Sequence, residues 1–217
     1  MKFFLVVLVS VVSASAPIPK KTPGFQIGAI NSQSRFELFI DLHCSACQEF
    51  FPIFLAALDS EIKGKKLKEL LDVTLHVFPL PYHLNSFYAS QMAFFIQKKY
   101  PERYVDYLRL QLQKEGKYNS STDVSANVVQ SWLQEDAKTV IGKDDPEIKI
   151  VFERDEFNIE CRVAWKYAIT RGVLGTPTAF INGVAVSNLP FKVEELAALL
   201  GKYVPNSTGD KKEATAF

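Results

Sequence analysis

Cysteine is scarce in this chain: three in 217 residues cannot staple a scaffold, and the odd number leaves at least one thiol without a partner inside the chain. Charge of either sign is not in excess. The formal net charge is +1, and removal of a leader carrying Lys2 balances it, so no field favours a polyanion and nucleic acid is not an expected partner. Long hydrophobic runs are missing too. The most apolar stretch, Phe3 to Val12, is about half of the roughly 20 residues that a bilayer crossing needs, so no membrane span is expected once the leader is removed. What the chain does have is apolar content of 47%, enough for one sizeable core without crosslinks or metals.

The two ends read differently from the middle. Lys2, the apolar stretch Phe3 to Val12 and the small residues Ser13 to Ala16 follow in the order of an export signal. Cleavage after Ala14 is favoured over cleavage after Ala16, which would leave Pro17 first. Residues 1–14 are therefore read as a signal peptide, with 1–16 the alternative, and residues 15–24, with Pro17, Pro19 and Pro23, as an arm without regular structure. Residues 204–217 read as a polar tail. Two sequons, Asn119-Ser120-Ser121 and Asn206-Ser207-Thr208, make Asn119 and Asn206 candidate glycan acceptors on a eukaryotic secretory route. The last residues are not a retrieval signal of the Lys-Asp-Glu-Leu kind. The expected location is secreted or within a secretory lumen, or the periplasm if the source is bacterial.

Between the ends, strand and helix patterns alternate. Phe25 to Ile30 and Arg35 to Leu42 read as strands, the second buried on both faces. From Cys47 the apolar spacing changes to three and four residues through Phe50, Phe51, Phe54, Leu55, Leu58 and Ile62, which predicts a helix whose solvated end is Lys63-Gly64-Lys65-Lys66. Asp72 to Phe78 reads as a strand. Helical spacing then recurs over Phe87–Lys99, Pro101–Lys114 and Asp123–Ile141, with Gly116 and Gly142 marking ends, so a helical insertion is expected at about 86–142. A long helix follows from the Asp145-Pro146 start to Gly172, with a bend at Asn158. Asn182-Gly183 between Thr178–Ile181 and Val184–Val186 is the strongest hairpin signal in the chain, and Val193–Tyr203 closes it as an amphipathic helix. The insertion residues Phe94, Phe95, Tyr104, Tyr107 and Leu108 are candidate linings of a groove against the rest of the fold.

The chemistry concentrates at Cys44 and Cys47. Thiol-disulfide exchange needs one accessible thiolate, a second thiol near enough to displace the mixed disulfide, and a scaffold that stabilises the anion. A C-x-x-C pair opening a helix supplies all three, because first-turn amides and the helix dipole favour a thiolate at Cys44 while Cys47 faces inward as the resolving thiol. His43 either stabilises that thiolate as a cation or turns away to solvent or a bound substrate. Zinc would need two further ligands, and His76 and His83 lack ligand spacing. Covalent haem would need histidine after the second cysteine, where Gln48 stands. A purely structural disulfide in so short a loop constrains little unfolded-state entropy. No metal or organic cofactor is expected, and Cys161, at helical spacing with Ala164, Trp165 and Ala168, reads as an inert buried thiol. His83 reads as a solvated helix-entry residue and His76 as a strand residue.

Three segments taken together, Phe39-Ile40-Asp41-Leu42-His43-Cys44-Ser45-Ala46-Cys47, Pro79-Leu80-Pro81-Tyr82-His83 and Gly172-Val173-Leu174-Gly175-Thr176-Pro177-Thr178-Ala179-Phe180-Ile181-Asn182-Gly183, resemble the DsbA-like branch of the thioredoxin superfamily over about residues 25–203. The resemblance implies an α/β, thioredoxin-like fold with a helical insertion, and a protein thiol-disulfide oxidoreductase. It further implies that Pro177 follows a cis peptide, and that Thr176 and Pro177 contact substrate beside the dithiol. The expected partners are protein or peptide thiols and disulfides, plus a redox partner that regenerates the centre. The sequence departs from the family at Ser45-Ala46 between the cysteines, at Leu38 where many members carry a buried acid, with Glu37 beside it on the opposite strand face, and in lacking an aromatic beside Cys44. Two other readings stand beside this one: a non-catalytic polypeptide-binding module on the same fold, and a glutathione-linked enzyme, in which Cys47 would have no evident task.

Overall fold

The structure, a computed structural model, describes residues 23–30 and 32–204. The leader, most of the proline-rich arm, Asn206 and the rest of the tail from Pro205 on lie outside the described residues, and Val204, read as the start of the tail, is buried in the core.

The chain enters the described fold through β1 (Phe25–Gln26), then β2 (Arg35–Ile40), α1 (Ser45–Asp59), the short pair β3 (Glu61–Ile62) and β4 (Lys65–Lys66), and β5 (Asp72–Val77). Helices α2 (Ser86–Lys99), α3 (Tyr104–Gln113), α4 (Glu115–Asn119), α5 (Ala126–Ile141) and α6 (Asp155–Thr170) follow before β6 (Thr178–Ile181), β7 (Val184–Ala185) and α7 (Val193–Gly201). The main sheet has the order β1-β5-β2-β6-β7. β2 and β5 are parallel, pairing Leu38 with Leu75 and Phe39 with His76, and β6 returns antiparallel against β2, pairing Thr178 with Phe39. The C-terminal end of β2 and the N-terminal end of β6 therefore meet at one end of the sheet's central strands, which brings residues over 130 positions apart in sequence to one place.

Alternation along the strands divides the core. Phe36, Leu38 and Ile40 of β2, with Val73, Leu75 and Val77 of β5, join a cluster that includes Phe50, Phe51 and Phe54 of α1. Phe39, on the other face, packs with Phe78, Leu80, Ala168, Val173 and Phe180. Because successive side chains of a strand point to opposite faces, β2 is apolar on both faces, through Phe36, Leu38 and Ile40 on one and Phe39 on the other, with Arg35 and Glu37 the charged exceptions. Each fully buried phenylalanine contributes about 1.5–3 kcal/mol relative to exposure.

Several expectations need correction. The first strand is only two residues long, since its amides beyond Gln26 bond singly, Ile27 to Val73 and Ala29 to Leu71. Helix α1 stops at Asp59, and Glu61–Lys66 is a hairpin turning through Lys63 and Gly64 at φ 55° and 75°; a left-handed pair at a Gly-containing turn is a hairpin signal, which the helical spacing of Ile62 obscured. Gly116 lies inside α4 rather than at an end, whereas Gly142 at φ 77° does close α5. The segment from Asp145 divides into a 3-10 turn, Pro146–Ile150, and α6. Asp145 caps that turn by accepting from the Glu147 amide at 2.9 Å, and the extended backbone of Arg154, φ −88° and ψ 119°, separates the two. Tyr104, Tyr107 and Leu108 are core residues, at most 1% exposed. Phe94 borders a groove between α2 and α6, and Phe95, itself 1% exposed, lies against a smaller one with Lys98, Lys99, Glu147, Arg154 and Phe157.

Candidate active site

Cys44 is the cap residue before α1, with extended backbone at φ −92° and ψ 122°. That conformation turns the first amides of the helix toward its sulfur, where the Cys47 and Ala46 N–H groups stabilise an anion. The Cys44 thiol also donates to the Thr176 carbonyl at 3.4 Å, joining positions 132 apart in sequence. The Thr176–Pro177 peptide is cis. Both residues of that loop are half-buried, so an open surface lies next to the sulfur.

The two sulfurs have unlike surroundings. Cys44 keeps 7% of its surface exposed and Cys47 none. The Cys47 thiol first, and then Thr176 and the helix amides, hold the Cys44 pKa down at about 6 against the effect of burial. Burial, and then the neighbouring Cys44 sulfur, push Cys47 well above the ordinary thiol range. At pH 7 a thiol of pKa about 6 is about nine-tenths thiolate. The less enclosed sulfur thus carries the lower pKa, and the enclosed one keeps its proton at neutral pH. Cys161 is fully buried and burial pushes it up to about 12, the environment of an inert thiol. All three cysteines are unbridged.

His43 neither acts as a cation nor reaches solvent. Its side chain is fully buried and stacked on Tyr118 at 4.6 Å between ring centroids and 7° between planes. Burial holds its pKa down at about 4 despite the nearby Asp41 carboxylate, so at neutral pH the ring is uncharged. This corrects both expectations for it, thiolate stabiliser and substrate contact. The supports beneath it are Gln111, Asp136 and Tyr118: Gln111 donates to Asp136 at 2.9 Å and Tyr118 donates to it at 2.7 Å. Its main chain is held as well. The exposed Asn119 donates from Nδ2 to the His43 carbonyl at 2.8 Å and to Glu115 at 2.7 Å, so a glycan on Asn119 would leave one N–H for these two acceptors.

The residue that organises the turn is Asp41, which the sequence reading left unassigned. Its carboxylate is fully buried and accepts from the His43 amide at 2.7 Å, the Ser86 hydroxyl at 2.6 Å and the Leu80 amide at 2.5 Å. His83 Nδ1 lies 2.9 Å away, with 17% of its side chain exposed. His83 is therefore tied to the buried acid and is not a freely solvated ring, a second correction. The Asp41 carbonyl accepts from the Cys44 amide at 3.2 Å. A polar residue three positions before Cys44 inside an otherwise apolar strand end was the available signal. Glu37 lies within β2 against α6, whose Tyr167 hydroxyl donates to it at 3.1 Å. Burial alone would raise its pKa, but His76, Arg171 and Tyr167 hold it below the usual carboxylate range.

Among the described residues no group of three or more His, Cys, Asp or Glu side chains is arranged to hold a metal ion. A family model described as thioredoxin matches residues 20–202.

The chain belongs to the thioredoxin family.

Among solved structures the chain is similar to BdbD from Bacillus subtilis in its oxidised form, with 18% identity, 84% of this chain and 93% of that one covered, and a TM-score of 0.63. It is also similar to MdbA, a thiol-disulfide oxidoreductase from Corynebacterium diphtheriae, at 17% identity with 82% and 89% covered and a TM-score of 0.59. The thiol-disulfide exchange protein alpha-DsbA2 from Wolbachia pipientis matches at 18% identity, with 82% and 86% covered and a TM-score of 0.57. No curated protein matches. The fold is α/β and thioredoxin-like, of the kind found in DsbA-like proteins.

Proposed function

We propose that this protein is an exported thiol-disulfide oxidoreductase acting on protein substrates through Cys44 and Cys47, with Thr176 and Pro177 as the surface on which substrate docks. The Cys44 thiolate attacks a substrate disulfide, forms the mixed disulfide and releases one substrate thiolate. Cys47 then loses its proton and attacks the Cys44 sulfur, releasing the second substrate thiol and leaving a Cys44–Cys47 disulfide. The substrate is reduced by two electrons and the protein oxidised; the reverse sequence oxidises a dithiol. A separate redox partner returns the pair to its starting state. The observation that carries this reading is the low pKa of Cys44, about 6, beside an enclosed Cys47 held high. The solved structures named as thiol-disulfide proteins support it through fold.

Export rests on the leader pattern of residues 1–16 and on the sequons at Asn119 and Asn206, which are proposed glycan acceptors. No helix among the described residues is long and apolar enough to cross a membrane. The test of the chemistry is a pair of variants. Cys44→Ser abolishes both insulin reduction and refolding of a reduced disulfide protein, and Cys47→Ser accumulates covalent complexes visible on non-reducing gels. Full activity in both variants refutes the reading.

A further inference from the structure

The loop after β5 and the outer side of α6 enclose a groove of about 380 Å³, lined by Pro79, Leu80, Pro81, Leu84, Phe87 and Trp165. Arg162 and Lys166, one helical turn apart on α6, stand at its border and are exposed. Neither has an ion-pair partner among the described residues. The remaining titratable group there, His83, is engaged by Asp41 at 2.9 Å, and no carboxylate lines the groove. An apolar trough bordered by two unpaired cations complements a segment that carries a bulky apolar side chain and carboxylates.

The wall of the groove is hydrogen-bonded to the dithiol turn. Leu80, in its wall, donates its amide to Asp41, whose carbonyl accepts from Cys44. On the other side Val173 packs in the same cluster as Phe78 and Leu80, and the next residue, Leu174, is 85% exposed, two positions before Thr176. Tyr82 and Leu84 are 70% and 63% exposed. Exposed apolar surface of this size at one end of a domain marks a place where other chains bind. A polypeptide bonded to Cys44 would carry its neighbouring residues past the segment that forms the wall of the trough.

We propose that this groove recognises an acidic, apolar polypeptide segment flanking the cysteine of the protein that exchanges disulfides with Cys44. The apolar side chain fills the trough between Leu84 and Trp165, and the carboxylates pair with Arg162 and Lys166. The proposal rests on Cys44 being the attacking sulfur.

The test uses synthetic peptides whose single cysteine is activated as a 2-thiopyridyl disulfide, with Asp-Asp-Phe-Leu or Lys-Lys-Phe-Leu placed six residues before or after it. The Cys44 thiolate attacks the peptide sulfur, the bond to the pyridyl sulfur breaks, and pyridine-2-thione is released and read by absorbance. With the unaltered protein the better-placed acidic peptide should react at least ten-fold faster than its lysine counterpart, and the difference should shrink in high salt. In Arg162→Glu with Lys166→Glu the preference should reverse, while the rate with neutral 2,2′-dithiodipyridine stays within two-fold. Equal rates for acidic and basic peptides, or a preference unchanged in the double variant, overturn the groove while leaving the exchange chemistry standing. Failure of 2,2′-dithiodipyridine to modify Cys44 overturns both.

Discussion

Asp41 and Glu37 sit four residues apart at or just beyond the same strand, both buried, and their surroundings could hardly differ more. Asp41 is held by two backbone amides, a hydroxyl and a histidine, drawn from the turn that bears Cys44 and from the segment entering α2. Glu37 is held by one charge and by a phenol, the Arg171 guanidinium at 3.3 Å and the Tyr167 hydroxyl at 3.1 Å, with the His76 ring, whose pKa burial holds below its ordinary value, 3.4 Å away. One acid ties the dithiol turn to the helical region, and the other ties α6 to the sheet. The difference teaches that a buried carboxylate in this fold can serve placement of the sulfur or anchoring of a helix, depending on which segments supply its partners.

The largest expected effect comes from Asp41→Ala. It strands the amides of His43 and Leu80, the Ser86 hydroxyl and His83, and each buried unmade partner costs about 1–3 kcal/mol. Urea unfolding should show a loss of roughly 3–5 kcal/mol, and in the folded fraction the Cys44 titration should move upward, because the amides of Ala46 and Cys47 lose their aim. Glu37→Gln comes next. It leaves Arg171 without its counter-charge at a partly buried site, at a cost of about 2–4 kcal/mol, yet the Cys44 titration should stay at about 6. If Glu37→Gln moves that titration as far as Asp41→Ala does, the division of labour between the two acids is wrong.

His43→Phe should have the smallest effect, and its sign depends on pH. The folded pKa of His43 lies at about 4, below its ordinary 6.5, so the unfolded chain binds the proton more readily. Stability attributable to the neutral ring is present above pH 6.5 and is lost as pH falls through about 4. A phenylalanine keeps the stack on Tyr118 and cannot be protonated. The acid-induced loss measured by urea unfolding between pH 6.5 and 4 should therefore shrink by on the order of 2 kcal/mol. An unchanged slope places the acid sensitivity elsewhere.

Local signals made much of this arrangement legible. The change of apolar spacing at Cys47 marks a strand feeding a helix, and Asn182 and Gly183 turn the β6–β7 hairpin at φ 50° and 82°. Thr176 was named only through resemblance, and its position 3.4 Å from Cys44 follows from β6 pairing beside β2. What stayed hidden depends on contacts between distant segments. The four partners of Asp41 come from positions 43, 80, 83 and 86, and nothing local to Asp41 announces them. His43 looked like a surface histidine because no sequence pattern shows Tyr118 covering its ring. Lys63-Gly64 read as a solvated helix end because a charged run beside helical spacing outweighs a single glycine; the backbone shows two left-handed residues closing a hairpin.

The most direct test of the account is the pH dependence of alkylation by iodoacetamide in the reduced protein, with the modified cysteine located by mass spectrometry. Cys44 should react with a midpoint near pH 6, while Cys47 and Cys161 remain unmodified up to pH 8. A Cys44 midpoint near that of a free thiol, about 8.5, or equal labelling of Cys47, would contradict the division between an attacking and a resolving sulfur.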